Sequence, residues 1–318
     1  MVHLGRSRVA SSTDFEEAEE LLALVEQITG DNKRLNLQEV GKAFREIPVS
    51  NESAHSVAIA SLFPFARNLL AINKTKNPSW FKRGSNLGDS ALDRLEFFRS
   101  WRLLLQQLAL WRSAQDDGRG VAIAIERGDS RKSLGRKRAY DGILTSPPYL
   151  TRLDYVQATL PEFLLLRNFD VTPDMQRLRR SMLGSPLTSE RPAHSLQRLP
   201  RDIQDLLDRI SRHKSKASST YYRRFFSTYF VDLQASIKNI SEVLKQGAMG
   251  CMVVQSSHYK EIEVDLASAI ISIGSGYGLS HHISMEFDSR RSISLVNSRA
   301  HEAARKPKNE SAVFFRKE

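Results

Sequence analysis

The chain has 318 residues, 41% of them apolar and 26% charged, a balance that fits a folded globular protein with a substantial core and excludes collagen-like, coiled-coil and wholly disordered chains. No apolar run approaches the roughly 18 residues of a membrane span, the opening Met1–Ser12 segment lacks the apolar core of a signal peptide, and the single cysteine, Cys251, excludes an internal disulfide and a cysteine-rich zinc site, so a reducing, cytoplasmic setting is expected. Lys and Arg exceed Asp and Glu by 11, which favours a polyanionic partner, nucleic acid first, over a merely solubilising basic surface.

Thr13 and Glu16 have capping-box spacing. Phe15, Ala18, Leu22, Val25 and Ile28 then recur at three and four residues, which predicts a helix from Thr13 to about Gly30. A shorter helix is expected over Leu35 to Phe44, a polar break from Ile47 to His55, and an apolar helical stretch from Val57 to Ile72 interrupted near Pro64. Asn73 to Asp89 reads as a basic, turn-rich linker, so residues 1–89 form an expected helical accessory region. Residues 90–318 form the expected second domain.

Ser90 and Asp93 announce a second long helix, with Leu92, Leu95, Phe98, Trp101, Leu105 and Leu108 as its buried stripe and an end near Asp117-Gly118. Trp101 and Trp111 are expected to pack. Val121 to Ile125 reads as a short buried strand ending in Glu126-Arg127-Gly128-Asp129. Tyr140 to Leu144 is again strand-like and runs directly into Thr145-Ser146-Pro147-Pro148-Tyr149. This is the texture of an α/β domain with function at its strand ends. Residues 167–220 are polar, Arg-rich and broken by prolines, with one helix over Ile203 to Ile210 and a basic run at Arg212, Lys214 and Lys216. Two readings stay open for this stretch, a solvated insert or a surface for the DNA backbone.

Regular order returns after Tyr221: a helix from Phe230 to Leu244 stopped at Gln246-Gly247, then a buried strand at Cys251 to Val254. A helix through Val264, Ala267 and Ile271 stops at Gly274, Gly276 and Gly278. A strand follows at Ile283, Met285 and Phe287, and a last strand at Val313 to Phe315 is placed beside it. His281 and His282 have no third ligand at metal spacing, and His258-Tyr259-Lys260 reads as a surface loop in preference to a cleft wall.

The sharpest signal is Asp141-Gly142-Ile143-Leu144-Thr145-Ser146-Pro147-Pro148-Tyr149. It resembles the catalytic loop of the DNA amino-methyltransferases, which methylate cytosine N4 or adenine N6 with S-adenosylmethionine. The Ser-Pro-Pro-Tyr form is most similar to the cytosine-N4 group. The resemblance implies a Rossmann-like class I methyltransferase sheet, with this loop at the carboxyl end of its fourth strand. An exocyclic amine is a poor nucleophile because its lone pair is delocalised into the ring. In the resemblance Ser146 and the Pro147 carbonyl accept hydrogen bonds from that amine, and Pro147 and Pro148 stiffen the backbone that carries them. Tyr149 stacks on a base rotated out of the duplex. Asp129 lies beside the cofactor's adenine, with Thr145 nearby, and Arg152, Arg212, Lys214 and Lys216 are the candidate DNA contacts. No metal is implied.

The family also uses a glycine-rich loop, Asp-Pro-Phe-x-Gly-x-Gly-Thr, that lets backbone approach the methionine part of the cofactor. The comparable string here, Gly274-Ser275-Gly276-Tyr277-Gly278, follows a helical pattern and reads as a helix stop. Three arrangements stay open: a split enzyme whose second subunit carries the glycine loop, a methyltransferase-like subunit that binds DNA or a partner without catalysis, and an atypical cofactor loop. The intact Ser146–Tyr149 motif favours the split enzyme. A split predicts open sheet surface and an obligate interface.

Overall fold

The computed structural model describes residues 6, 9–71, 91–114, 123–150, 154–169, 174–185, 187, 193–288 and 309–318. The linker at 73–89 and Arg152 lie outside the described residues. The chain forms two compact units, one of residues 1–127 and 156–174, the other of 128–155 and 175–318.

The first unit is helical. Helix α1 (Ser12–Ile28) is capped in a different frame from the expected one: Ser11 accepts from Asp14 N, and the Asp14 carboxylate returns to Ser11 N at 2.7 Å. Two serviceable capping frames lie two residues apart and the earlier one is used, with Phe15, Ala18, Leu22 and Val25 buried in the expected stripe. Helix α2 (Leu37–Glu46) is capped by Asn36, and α3 (Glu52–Ser61) by Asn51, inside the expected polar break. The break expected at Pro64 falls at Leu62; α4 (Phe63–Ala71) takes Pro64 into its first turn, where a missing N–H is not needed.

Helix α5 (Arg94–Ser113) begins at Asp93 as expected and ends four residues early. It buries Phe97, Phe98, Trp101 and Leu105, whereas Leu95, expected in that stripe, is 75% exposed, and Trp111 is also exposed. The Trp101 ring N–H donates to the Ala58 carbonyl at 3.1 Å and to Ser61 Oγ at 3.0 Å. Helix α6 (Leu160–Phe169) closes this core, with Phe169 edge-on to Phe44 and Trp101. Aromatic packing thus binds α5 and α6 to the N-terminal helices, and the compact units divide elsewhere than the compositional boundary at 89/90. The strand expected at Val121 to Ile125 is not formed over 123–125, and Ile123 is 55% exposed. An apolar run becomes a strand only where a neighbour supplies hydrogen bonds, and no described strand pairs with it.

The second unit is α/β. Beside a short helix at Ala193–Gln197, its elements are β1 (Tyr140–Thr145), α7 (Met175–Ser181), α8 (Arg201–Arg212), a π-helical turn at Ser218–Tyr222, α9 (Arg223–Val243), β2 (Leu244–Gln255), a hairpin of β3 (Ser257–Tyr259) and β4 (Ile262–Val264), α10 (Leu266–Ser275), β5 (Leu279–Asp288) and β6 (Asn309–Lys317). The sheet runs β1-β2-β6-β5. β1 and β2 are parallel, and the other pairs are antiparallel. Ile203, Leu207 and Ile210 of α8 are buried in the unit's core, so this part of the 167–220 stretch is integral to the fold.

Helix α9 starts seven residues before Phe230. The turn expected at Gln246-Gly247 is a bulge inside β2: the register passes from Tyr140 opposite Leu244 to Gly142 opposite Met249, and Gly247 supplies φ +82°. Val264 belongs to β4, and α10 begins after it, capped by Asp265. The two sheet faces differ. Met252, Val254, Val313 and Phe315 share one face and pack with Phe230, Leu233, Ile237, Ile270 and Ile273 of α9 and α10. A Cβ on Gly250 would come within 2.3 Å of the Phe315 ring, so this close approach needs glycine. The other face carries Leu144, Met249, Cys251, Phe314, Ile283 and Met285 in register. Leu144 is 77% exposed, and Met249, Ile283 and Met285 are exposed with it. Among the described residues no helix is long and apolar enough to cross a membrane.

Candidate active site

β1 delivers Thr145 to its carboxyl end, where Ser146–Tyr149 leave the sheet. Because β2 runs parallel, Gln255 and Ser256 leave at the same end. Ser146 is exposed, Pro147, Pro148 and Tyr149 are half-buried, and Leu150 is buried and anchors the loop in the core.

Three residues that sequence reasoning did not assign to the site support this loop. Tyr229 of α9 is fully buried and its hydroxyl donates to the Pro148 carbonyl at 2.7 Å. The Tyr155 hydroxyl accepts from Tyr149 N at 3.2 Å. Glu310, opposite Gln255 in the β2–β6 register, approaches the Tyr149 hydroxyl, which also hydrogen-bonds the Ser146 side chain. Partial burial, with Glu310 adding to it, pushes the Tyr149 pKa up, so the phenol stays protonated. Asp154-Tyr155 follows the motif closely enough to be noticed in sequence. Tyr229 and Glu310 are joined to it only by the fold.

The segment after α7 closes across the same place. Gly184 has φ +73°, and a Cβ there would lie 3.4 Å from the Tyr229 ring and 3.7 Å from Pro148. Arg179 Nε meets the buried Asp154 carboxylate at 2.6 Å, tying α7 to the residue before Tyr155.

Asp129 is held by Arg131. Its carboxylate accepts from Arg131 Nε at 2.9 Å and Nη2 at 2.8 Å. Arg131 also reaches Asp232 of α9 at 3.0 Å and the Ser181 carbonyl. Hydrogen bonding from Arg131 lowers the Asp129 pKa, and Asp129 in turn raises that of Arg131. Helix α9 therefore underlies two parts of the site, through Tyr229 and, three residues on, Asp232.

The structure brings Thr145–Tyr149 together with Tyr155, Tyr229 and Glu310. Arg212, Lys214 and Lys216 form a separate exposed group where α8 ends. His213 pins that turn: Nδ1 accepts from Ser215 N at 3.0 Å, so the proton sits on Nε2, which faces Glu261 at 2.7 Å. His258 is exposed, whereas Tyr259 is buried against Ser218. His281 and His282 are exposed, and no described group of three or more His, Cys, Asp and Glu side chains could hold a metal ion.

The chain is 29% identical over 149 residues to the type II methyltransferase M.AvaI of Nostoc sp. strain PCC 7120, and equally to that of Anabaena variabilis. The match takes in 44% of this chain and only 30% of each relative. The chain is thus distantly related to a type II methyltransferase over part of its length. No protein-family model matches it. Among solved structures, a DNA modification methylase from Thermus thermophilus is similar with a TM-score of 0.28 and 13% identity, over 60% of this chain and 50% of that one.

Proposed function

We propose that this chain carries the base pocket of an S-adenosylmethionine-dependent DNA amino-methyltransferase, acting on cytosine N4 within a modification or host-defence system. The observation that carries the reading is the Ser146–Tyr149 loop, leaving the carboxyl end of a parallel strand and held from beneath by Tyr229 and Tyr155. The distant relationship to M.AvaI supports it. Ser146 and the Pro147 carbonyl accept the two N–H bonds of the amine, which holds its nitrogen in line for methylation. Tyr149 stacks on the extruded base. Arg152, Arg212, Lys214 and Lys216 contact phosphates.

When bound, S-adenosylmethionine supplies an electrophilic methyl group. The described residues fit the amine's side of this chemistry and not the cofactor's. The sequence has no glycine cradle after a strand, and the Asp129 carboxylate is already committed to Arg131. We therefore assign the cofactor mainly to a second subunit bearing the glycine-rich loop, with Asp129 and Thr145 at the margin. Two further observations support a split enzyme. Among the described residues β1 pairs only with β2, and one sheet face leaves Leu144, Met249, Ile283 and Met285 exposed. A non-catalytic, methyltransferase-like subunit that binds DNA or a partner is the second reading, favoured by the engaged Asp129.

The test is methyl transfer from labelled cofactor to mixed-sequence DNA, comparing the chain alone, the chain with its co-purifying partner, and Ser146→Ala in each. Activity only with the partner, reduced at least about 100-fold by Ser146→Ala, is expected. Activity of the chain alone would replace the split with an atypical cofactor loop. An intact complex that binds DNA and methylates nothing would leave the non-catalytic reading.

A further inference from the structure

We infer that Tyr229 is a positioning residue that, together with Tyr155, sets which carbonyl the Ser146–Tyr149 loop turns toward its substrate; the substrate side of this inference rests on the methyltransferase reading. The Pro148 carbonyl and the Tyr149 N–H belong to the same planar group. Tyr229 grips its oxygen at 2.7 Å and Tyr155 its nitrogen at 3.2 Å. A plane held at both polar ends cannot rotate about its flanking bonds without breaking at least one of them.

The prolines remove most of the remaining freedom. Their rings fix φ at residues 147 and 148. With the plane after Pro148 clamped, ψ of Pro148 is set as well. The Pro148 carbonyl is turned inward to a hydroxyl, which leaves the Pro147 carbonyl as the one presented to the amine. Sequence alone supplies two adjacent proline carbonyls. The tyrosines choose between them.

Each tyrosine is itself braced. Tyr229 is fully buried, packs edge-on to Phe230, and is flanked by Gly184. Burial pushes its pKa far up, so its hydroxyl remains a donor at every working pH. Tyr155 follows Asp154, which the ion pair to Arg179 holds in place.

Tyr229→Phe in the full chain keeps the ring and removes only the donor. Hydrogen exchange read by mass spectrometry should rise about tenfold at the Tyr149 and Leu150 amides, the scale of one lost hydrogen bond, with β2 amides unchanged. Tyr155→Phe, which frees the other end of the same plane, should reproduce the pattern. In the active complex, kcat should fall about tenfold with KM for DNA unchanged, because the loop still meets the base but holds the amine loosely. Unchanged exchange at Tyr149 and Leu150 would overturn the inference, as would a uniform rise across β2, which marks a merely structural tyrosine. The local exchange pattern in a complex that methylates nothing would uphold the clamp and sink the methyltransferase reading instead.

Discussion

Beneath α9 and α10, Met252, Val254, Val313 and Phe315 are at most 3% exposed; across the same sheet, Leu144, Met249, Ile283 and Met285 stand in the open. The two faces are built from the same four strands and are both apolar. They differ in what covers them. The crossover from β1 to β2 brings α9 to one face, and α10 joins it there. A parallel strand pair is ordinarily covered on both sides, and contiguous apolar patches above a few hundred Å² are uncommon on monomers. One face holds the fold of the second unit together, and the other is where the proposed split enzyme would meet its partner.

The largest expected effect belongs to the covered face. Phe315→Ala should lower unfolding stability by about 3–5 kcal/mol, read from chemical denaturation. A loss below about 1 kcal/mol would mean that this face carries little of the fold. A smaller effect belongs to the charge network that ties the 129–131 loop to α9. The Asp129 pKa is lowered on folding, so its contribution is fully present above the unfolded value of 3.8 and is lost as pH falls through the lower folded value. Wild-type stability should therefore drop, as pH falls from about 4 through the lower folded value, by more than that of Arg131→Met, in which the shift is removed. Equal acid sensitivity in the two proteins would break that link. The smallest effect on stability belongs to the open face. Leu144→Lys should shift unfolding by no more than about 0.5 kcal/mol, yet should weaken binding of the second subunit that the proposed split enzyme requires. Marked destabilisation of the isolated chain would show that Leu144 is covered from within.

How much was legible in sequence follows the same division. Strands β5 and β6 were readable as neighbours because Ile283, Met285 and Phe287 alternate and the Gly274–Gly278 stop precedes them. The Ser146–Tyr149 loop was readable because its five residues, counted from Thr145, are specific and follow an apolar strand. The exposure of Leu144 was not, because Ile143-Leu144 has the composition of a buried run and only the neighbours of a strand decide its burial. The strand expected at Val121 to Ile125 is absent over 123–125 for the same reason. The bulge at Gly247 looked like a turn because both use a positive-φ glycine. Tyr229 left no local signal; it lies 81 residues from the carbonyl it holds, and nothing in its own helix pattern distinguishes it from a core aromatic.

Cys251, the chain's single cysteine, lies on the open face, in register between Leu144 on one side and Phe314 on the other. Its neighbours shield it and burial raises its pKa, so alkylation of the thiol will be slow and will depend on how well that face is covered. The protein therefore carries a built-in footprinting probe: without any engineered label, the alkylation half-life of one sulfur atom reports whether the exposed side of the sheet is bare or occupied.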